Sequence, residues 1–410
     1  MSSSVETLFK DRPPTWGKIF ELGRLRTKLL ADTKHSVTKA VDRHLQEEGM
    51  GLDSLLGEAL FLEKLRLQKQ RNNFFTAPRA KRDQKFWGEI QSGLRASALE
   101  VDRKRLLEKV LRNYAEEIAG HFSPGIYRMA TKVVPWGFSW LLNAASVKRF
   151  LPWGMTESLS SRMAITGEVD LLRKLSQKGT ILLVPTHQSN IDSLLIGYII
   201  YLMGLPPFCY GAGLNLFSNP VFSFFMSNLG TYTVDRQKTA WLYKASLKSF
   251  STATLHEGVH SIFFPGGGRS RSGAIEKKLK LGLLGTGIEA QVRGLLEGRD
   301  NAPVYVVPMV MSYHFVLEAS SLIENFLSES GGHRYLPPAE EGFQPWKTLQ
   351  FFWQFFASKN SLLARIGRPL DVFGNFVDDE GHSIGPNGTR VDARRWLTTG
   401  GVLRADDHRD

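Results

Sequence analysis

From about Ser160 onward, short apolar runs alternate with longer amphipathic stretches. Helical patterning ending at Gly258 is seen in "TAWLYKASLKSFSTATLHEG". Strands that alternate with helices bury both faces of a sheet, so we predict an α/β unit with a largely parallel sheet flanked by helices. Functional loops of such sheets lie at the carboxyl ends of the strands. Five runs have the composition and flanking residues of strands: "TILLVPT", "PFCYGAG", "GTYTV", "SIFFPGG" and "VYVVPMVMSY".

The chain before this unit is rich in Lys, Arg, Glu and Leu, a composition typical of helices. We therefore divide the chain into a helical N-terminal region (residues 1–150), an α/β domain (151–375) and a polar C-terminal extension (376–410). Within the helical region four residues recur at helical spacing: Leu106, Val110, Leu111 and Tyr114.

Composition narrows the class of protein and of partner. A hydrophobic fraction of 42% and a charged fraction of 22% are those of a globular protein. The net charge of +12 favours anionic partners: nucleic acid, acidic lipid or phosphorylated small molecules. Cys209 is the single cysteine, which excludes an internal disulfide framework and fits a reducing, cytosolic setting. The sequence "MSSSVETLFKDRPPTWGK" shows no secretory signal pattern.

Two apolar segments indicate contact with a membrane surface. The stretch from Ser193 to Val234 lacks charged residues and histidine, but its Pro and Gly residues argue against a continuous spanning helix. The segment 346–356 has aromatic residues at helical intervals; core packing and a membrane-surface role are both open, and nearby Lys and Arg residues favour the surface. We expect peripheral association with the cytoplasmic side of a membrane, without a span.

The short polar window "THQSNID" follows a predicted strand and places His187 five residues before Asp192. A carboxylate at that position can accept the Nδ1–H of the imidazole and fix its tautomer. The other nitrogen, Nε2, can then remove a proton from a hydroxyl group. In the alternative interpretation, Asp192 only caps the following helix and His187 is an ordinary residue at a strand end.

Two further strand ends carry glycine and arginine. "GTYTVDR" contains Gly230 and Arg236, and "PGGGRSRSG" contains three glycines followed by Arg269 and Arg271. Backbone N–H groups of glycines can approach an anion, and guanidinium groups match the geometry of phosphate. The spacing of a nucleotide-binding P-loop is absent from this segment. A surface turn with solvated arginines remains the alternative for it.

Taken together, these blocks resemble the glycerolipid acyltransferase superfamily, which includes glycerol-3-phosphate and 1-acylglycerol-3-phosphate acyltransferases. The resemblance covers residues 179–312 and uses four blocks in order. The first is "HQSNID", the second is the segment from Gly230 through Tyr232 to Arg236, and the third is "FPGGGRS". The fourth is the apolar strand "VYVVPMV" with Pro308.

The resemblance implies an acyltransferase domain that moves a fatty acyl group from acyl-CoA or acyl carrier protein to the hydroxyl of glycerol 3-phosphate. His187 would be the general base and Asp192 its orienting partner, with no metal and no cofactor beyond the thioester co-substrate. The partners would be the thioester donor, a phosphorylated glycerol and a membrane surface, and not nucleic acid. The substrate-binding residues implied by the blocks are Gly230, Arg236, Gly267, Gly268, Arg269, Ser270, Arg271 and Pro308.

One position departs from the family pattern. Gly266 stands where the third block usually has glutamate, which removes a carboxylate expected near the acceptor. The remaining "GGRSRSG" looks like the variant of glycerol-3-phosphate acyltransferases and, with the long helical region, favours glycerol 3-phosphate as acceptor. Two alternatives stay open: acylation of lysophosphatidate, and a non-catalytic lipid- or acyl-binding protein on the same fold.

Overall fold

The structure is a computed structural model of the 410-residue chain. It describes eleven segments of the chain: residues 14–70, 77–96, 99–133, 163–188, 192–214, 220–266, 279–299, 303–313, 362–392, 398–399 and 402–403.

The N-terminal region is helical, as predicted. A short 3-10 turn at Lys18–Glu21 leads into the first helix. The residues of α4 at helical spacing bury one face of that helix, because positions three and four apart share a side. The helices are α1 (Leu22–Glu47), α2 (Leu52–Gln70), α3 (Ala77–Ala96), α4 (Glu100–Ile118) and α5 (residues 124–133).

The α/β unit contains a seven-stranded sheet in the order β1-β7-β6-β2-β5-β3-β4. Strands β6, β2, β5, β3 and β4 are parallel, whereas β7 pairs with β6 in the antiparallel sense and with β1 in parallel. The mostly parallel sheet flanked by helices is therefore confirmed. Its strands are β1 (Met163–Gly167), β2 (Thr180–Pro185), β3 (Cys209–Gly213), β4 (Thr231–Val234), β5 (Ser261–Ile262), β6 (Val304–Tyr313) and β7 (Leu362–Ile366).

Helices cover both faces of the sheet, and alternate residues of β2 face opposite layers. Ile181 and Leu183 belong to the core formed with α6 and α7. Leu182 lies in a separate cluster with α9 and α11. The helices of this unit are α6 (Val169–Lys178), α7 (Asp192–Leu202), α8 (Pro220–Asn228), α9 (Trp241–His256), α10 (Leu281–Leu284) and α11 (Thr286–Leu296).

The helical region packs against one end of the sheet. A shared apolar core joins Val37 of α1 and Tyr114 of α4 to Tyr232 of β4 and Leu242 of α9. Because this core contains residues of both regions, the N-terminal helices and the β4 edge of the sheet fold against each other.

The structure adds elements that the sequence did not predict. Strands β1 and β7 extend the sheet beyond β6. The C-terminal extension contains the paired short strands β8 (Phe376–Val377) and β9 (Ser383–Ile384), and β10 (Thr398–Thr399) with β11 (Val402–Leu403). Among the described helices, none combines the length and hydropathy needed to cross a membrane. The aromatic segment 346–356 lies outside the described residues.

Candidate active site

The loop after β2 carries the candidate base. The Thr186 N–H donates to the Met309 carbonyl at 3.0 Å, and the Thr186 hydroxyl oxygen accepts the Met311 N–H at 3.0 Å. Both bonds join the loop to β6, the neighbouring strand. His187 therefore leaves the sheet from a backbone that is fixed on one side by the ladder of β6.

The His187 and Asp192 side chains are brought together. Nδ1 of His187 lies 2.8 Å from Oδ2 of Asp192. The Asp192 side chain is fully buried, and that of His187 is 18% exposed. Since the carboxylate engages Nδ1, the second nitrogen, Nε2, is the one assigned to proton transfer. The pair can hold an imidazole as a general base and stabilise the imidazolium that forms.

The buried Asp192 carboxylate is stabilised from several directions. The Gln188 N–H donates to Oδ2 at 2.7 Å, and the Tyr313 hydroxyl donates to Oδ1. Asp192 is also the first residue of α7, where the positive end of the helix dipole favours a negative charge. Burial of a carboxylate is costly unless such partners satisfy it. The arrangement keeps a single carboxylate orientation facing His187.

Phe264 closes the other side of the imidazole. Its ring centroid lies 4.4 Å from that of His187 at an interplanar angle of 35°. It follows β5, which pairs with β2 in parallel. The same edge of the sheet therefore supplies the base, its aromatic neighbour and, from the end of β6, Tyr313.

Tyr313 is a site residue that the sequence interpretation missed. Its hydrogen-bond partner Asp192 lies 121 residues away along the chain. The available signal was its position at the carboxyl end of "VYVVPMVMSY", one of the five predicted strands, since such ends meet at one edge of a parallel sheet.

The second block divides between opposite edges of the sheet. Arg236 follows β4 at the carboxyl edge of the sheet, the same edge at which His187 follows β2. The Arg236 side chain is exposed. Gly230 precedes β4 and lies at the amino edge, away from His187. Its φ of +85° and the 2.8 Å separation between an added Cβ and Ile19 Cδ1 explain the glycine by packing. The structure thus does not bring Gly230 to the site.

The remaining predicted residues have separate places. Pro308 is built into β6 opposite Val184, and its carbonyl accepts the Gly367 N–H at 2.8 Å. Gly267, Gly268, Arg269, Ser270 and Arg271 lie outside the described residues. The chain flanking them is described: Pro265 follows β5, and its carbonyl accepts the Lys280 N–H at 2.7 Å. That hydrogen bond joins the two ends of the segment at the carboxyl edge.

An apolar cavity lies beside the start of α7. It contains about 740 Å³ of space including its open mouth, and its lining includes Ser193 and Leu194, which directly follow Asp192. Burial raises the pKa of two lining tyrosines, Tyr198 and Tyr210, to about 12. The surface of the cavity is mostly apolar, so the cavity suits an uncharged hydrocarbon group.

Comparison with known proteins places residues 167–312 in a family model described as "Acyltransferase". The chain is 31% identical over 216 residues to a glycerol-3-phosphate acyltransferase of Haemophilus ducreyi, covering 52% of this chain and 23% of that protein. It is 33% identical over 178 residues to the protein of the same name from Haemophilus influenzae, covering 43% and 21%. With the Histophilus somni protein it shares 28% identity over 296 residues, covering 71% and 34%.

The chain spans about a quarter of the length of the first of these relatives. The matched residues include β2, which precedes His187, α7, which begins at Asp192, and all of β6 except its last residue, Tyr313.

Replacement of His187 by Ala is expected to lower acyl transfer by about two to four decades, the usual cost of removing a general base. The fold should persist, because the side chain lies in a loop at the sheet edge. Asp192→Asn should also be severe, since it removes the charge that stabilises the imidazolium. Turnover measured with a thioester-consumption assay checks both; a His187→Ala protein that keeps more than roughly a tenth of wild-type turnover contradicts the role.

Tyr313→Phe tests the support of Asp192. Loss of one hydrogen bond to a charged group is worth about 1.5–3 kcal/mol, so turnover should fall by about tenfold to 150-fold, less than in His187→Ala. Tyr305→Phe is the matched control on the same strand, since the Tyr305 hydroxyl is directed to the Gly381 carbonyl and not to the site. Equal effects of the two substitutions on turnover would exclude a specific role for Tyr313.

Proposed function

We propose, from the match of residues 167–312 to an acyltransferase family model and the similarity to glycerol-3-phosphate acyltransferases, that the chain is a glycerolipid acyltransferase. It would transfer a fatty acyl group from acyl-CoA or acyl carrier protein to a hydroxyl of glycerol 3-phosphate. The observation that carries the proposal is the hydrogen-bonded pair of His187 and Asp192 at the carboxyl edge of the matched domain. Its alternative, a helix cap without catalytic use, does not require the imidazole to be held by Nδ1.

In the proposed reaction Nε2 of His187 takes the proton of the acceptor hydroxyl while its oxygen attacks the thioester carbonyl carbon. The tetrahedral oxyanion then collapses, the carbon–sulfur bond breaks, and the imidazolium returns its proton to the leaving thiolate. The carboxylate of Asp192 stabilises the imidazolium. Backbone N–H groups near the glycine-rich turn would stabilise the oxyanion. No metal and no further cofactor is required, because the thioester is already activated.

The apolar cavity is the proposed place of the acyl chain. Its lining residues Ser193 and Leu194 adjoin Asp192, so a chain held there would present its carbonyl group near His187. Most of the exposed surface of this cavity is apolar, as expected for a ligand whose binding depends on burial of hydrocarbon.

The proposed phosphate ligands are Arg236, Arg269 and Arg271. Arg236 follows β4, three strand positions from β2, which corresponds to about 14 Å at about 4.8 Å per strand. An extended arginine side chain and a phosphorylated three-carbon acceptor together can bridge that separation. Gly267, Gly268, Ser270 and Pro308 stay proposed substrate contacts, and Gly230 is proposed only as a structural glycine.

Two alternatives differ in acceptor or in class. Lysophosphatidate also carries a phosphate and a free hydroxyl, so the arginines alone do not exclude it. A non-catalytic lipid-binding protein would use the same cavity, and Gly266, in place of a family glutamate, is the feature that keeps this alternative open. The names of the relatives and the run "GGRSRSG" favour glycerol 3-phosphate.

We expect purified protein given glycerol 3-phosphate and a long-chain acyl-CoA or acyl carrier protein to form lysophosphatidate, identified by mass. Turnover should be faster with glycerol 3-phosphate than with lysophosphatidate under the same donor. Faster acylation of lysophosphatidate would assign the alternative acceptor. Binding of the acyl donor without any product from either acceptor would assign the non-catalytic function.

We also propose peripheral binding to the cytoplasmic side of a membrane through α5. Its exposed residues include the apolar Met129 and Val133 and the basic Arg128 and Lys132, a combination typical of helices at anionic bilayers. Tyr127 and Ala130 of the same helix line the apolar cavity. A lipid surface on α5 would therefore adjoin the proposed acyl site.

Substitution of Met129 and Val133 by Glu is expected to weaken sedimentation with phosphatidylglycerol-containing vesicles by about tenfold or more, from the lost burial of two apolar side chains. The matched control is the pair Phe61 and Leu65 on α2, which is also exposed, apolar and spaced by four residues. High salt or alkaline carbonate should release the unmodified protein. Release by detergent alone, or equal losses in both double variants, would contradict this proposal.

A further inference from the structure

The turn that carries Arg236 is anchored on both sides by buried charged residues. Asp235 is 2% exposed and Lys238 3% exposed, whereas Arg236 between them is exposed. Aspartate and lysine are almost never fully buried unless they are paired. The turn therefore enters the protein interior immediately before and shortly after Arg236.

The partners of Lys238 belong to the N-terminal helices. Its Nζ lies 2.7 Å from Oε2 of Glu117 on α4 and 3.4 Å from Oε1 of Glu63 on α2. The ammonium group also lies over the ring of Tyr114, 5.0 Å from its centroid, a favourable position for a cation. The far side of the turn is thus held by α2 and α4.

On the near side, α2 contacts the turn through an ion pair that is longer than a hydrogen bond, and Oδ2 of Asp235 accepts no hydrogen bond from the described residues. Oδ2 of Asp235 lies 3.6 Å from Nη1 of Arg66. Arg66 is itself fixed by Glu63, at 2.8 Å from its Nε, and by Asp83 of α3, at 2.7 Å from its Nη2. These carboxylates leave the guanidinium little freedom to rotate, because its planar fork has several simultaneous partners.

Local hydrogen bonds complete the turn. The Asp235 N–H donates to the Tyr243 hydroxyl at 2.7 Å, and Oδ1 of Asp235 accepts the Gln237 N–H at 2.9 Å. The Lys238 N–H donates to the Asp235 carbonyl at 3.2 Å. Residues 235–238 therefore form a hydrogen-bonded turn in which Arg236 is exposed.

We propose that the buried ion network of α2, α3 and α4 positions Arg236, so that the N-terminal helices set the affinity of the α/β domain for the phosphate of its acceptor. Glu63, Arg66 and Glu117 are then positioning residues, since they contact Lys238 and Asp235 on either side of Arg236. This inference rests on the proposed function, in which Arg236 binds phosphate.

Energetics favour this assignment over a role in stability alone. Desolvation of each buried charge is costly, and apolar residues of similar volume often stabilise an interface equally well. An ionic network instead fixes direction and register, because each charge has few acceptable positions. The network surrounds the two residues that flank Arg236.

The first experiment compares Glu117→Gln and Lys238→Met with the unmodified protein in steady-state acyl transfer. Glu117→Gln keeps the shape of the side chain and removes its charge. We expect the KM for glycerol 3-phosphate to rise at least about threefold, with the KM for the acyl donor and kcat little changed. Lys238→Arg should restore most of the affinity that Lys238→Met loses, because it restores the charge.

The second experiment repeats Glu117→Gln in an Arg236→Ala background. If Glu117 acts through Arg236, the substitution Glu117→Gln should cause no further rise in the KM for glycerol 3-phosphate in the Arg236→Ala protein. The matched control is Asp32→Asn, which breaks the 3.0 Å ion pair between α1 and Arg293 of α11. That pair also joins the helical region to the α/β domain, but away from the turn, so the KM should stay unchanged.

Several outcomes would overturn the inference. A purely structural network would be shown by any of three results. The effects of Glu117→Gln and Arg236→Ala on the KM for glycerol 3-phosphate could multiply in the double variant, or the KM values of acceptor and donor could rise together. Asp32→Asn could also raise the KM for glycerol 3-phosphate as much as Glu117→Gln does. Thermal unfolding of each variant shows whether Lys238→Met still folds. If Lys238→Met is misfolded, the KM values of Glu117→Gln decide between the positioning role and a purely structural one. Calorimetric binding of glycerol 3-phosphate distinguishes the two proposals. Normal binding by Arg236→Ala contradicts the phosphate-binding role of Arg236 within the proposed function. Weak binding by Arg236→Ala with normal binding by Glu117→Gln contradicts only the positioning role.

Discussion

The position of β2 inside the parallel sheet is the constraint on which the candidate site depends. β2 is paired with β6 on one side and with β5 on the other, so its carboxyl end has little freedom. The next residue, Thr186, continues the contacts with β6, and His187 follows it directly. Because neighbouring strands end at the same edge, Phe264 and Tyr313 reach the imidazole pair without a long loop. Positioning of the base is therefore a consequence of strand pairing.

Much of this could be predicted from the sequence, and the missed parts have physical reasons. Strands β2 to β6 are apolar runs bounded by Gly or Pro, so each is visible locally. The pairing of β7 between β1 and β6 depends on contacts between distant segments, which no local pattern contains. Tyr313 was missed for the same reason. Gly230 matched a family block, yet Ile19 of the N-terminal region explains its lack of a side chain.

The buried network shows a different limit of sequence interpretation. Glu63 and Arg66 belong to helices rich in charged residues, where most such side chains face water. Their burial, at 1% and 5% exposure, becomes apparent only when α2 packs against α3, α4 and the turn after β4. Residues with the composition of a solvated surface thus form an interior contact. The sequence predicted the helices but not which of their charges lie inside.

The two ends of the proposed acceptor site are supported by different parts of the protein. His187 is fixed by the sheet and by Asp192 at the start of α7, whereas Asp235 and Lys238, on either side of Arg236, contact helices that precede the α/β domain. The distance between base and phosphate ligand is set by the strands between them, β5 and β3. A shift of the helical region would move Arg236 while leaving the base in place. If Arg236 binds the acceptor phosphate as proposed, affinity for the acceptor and proton removal depend on different parts of this fold, and the helical region can influence the first without the second.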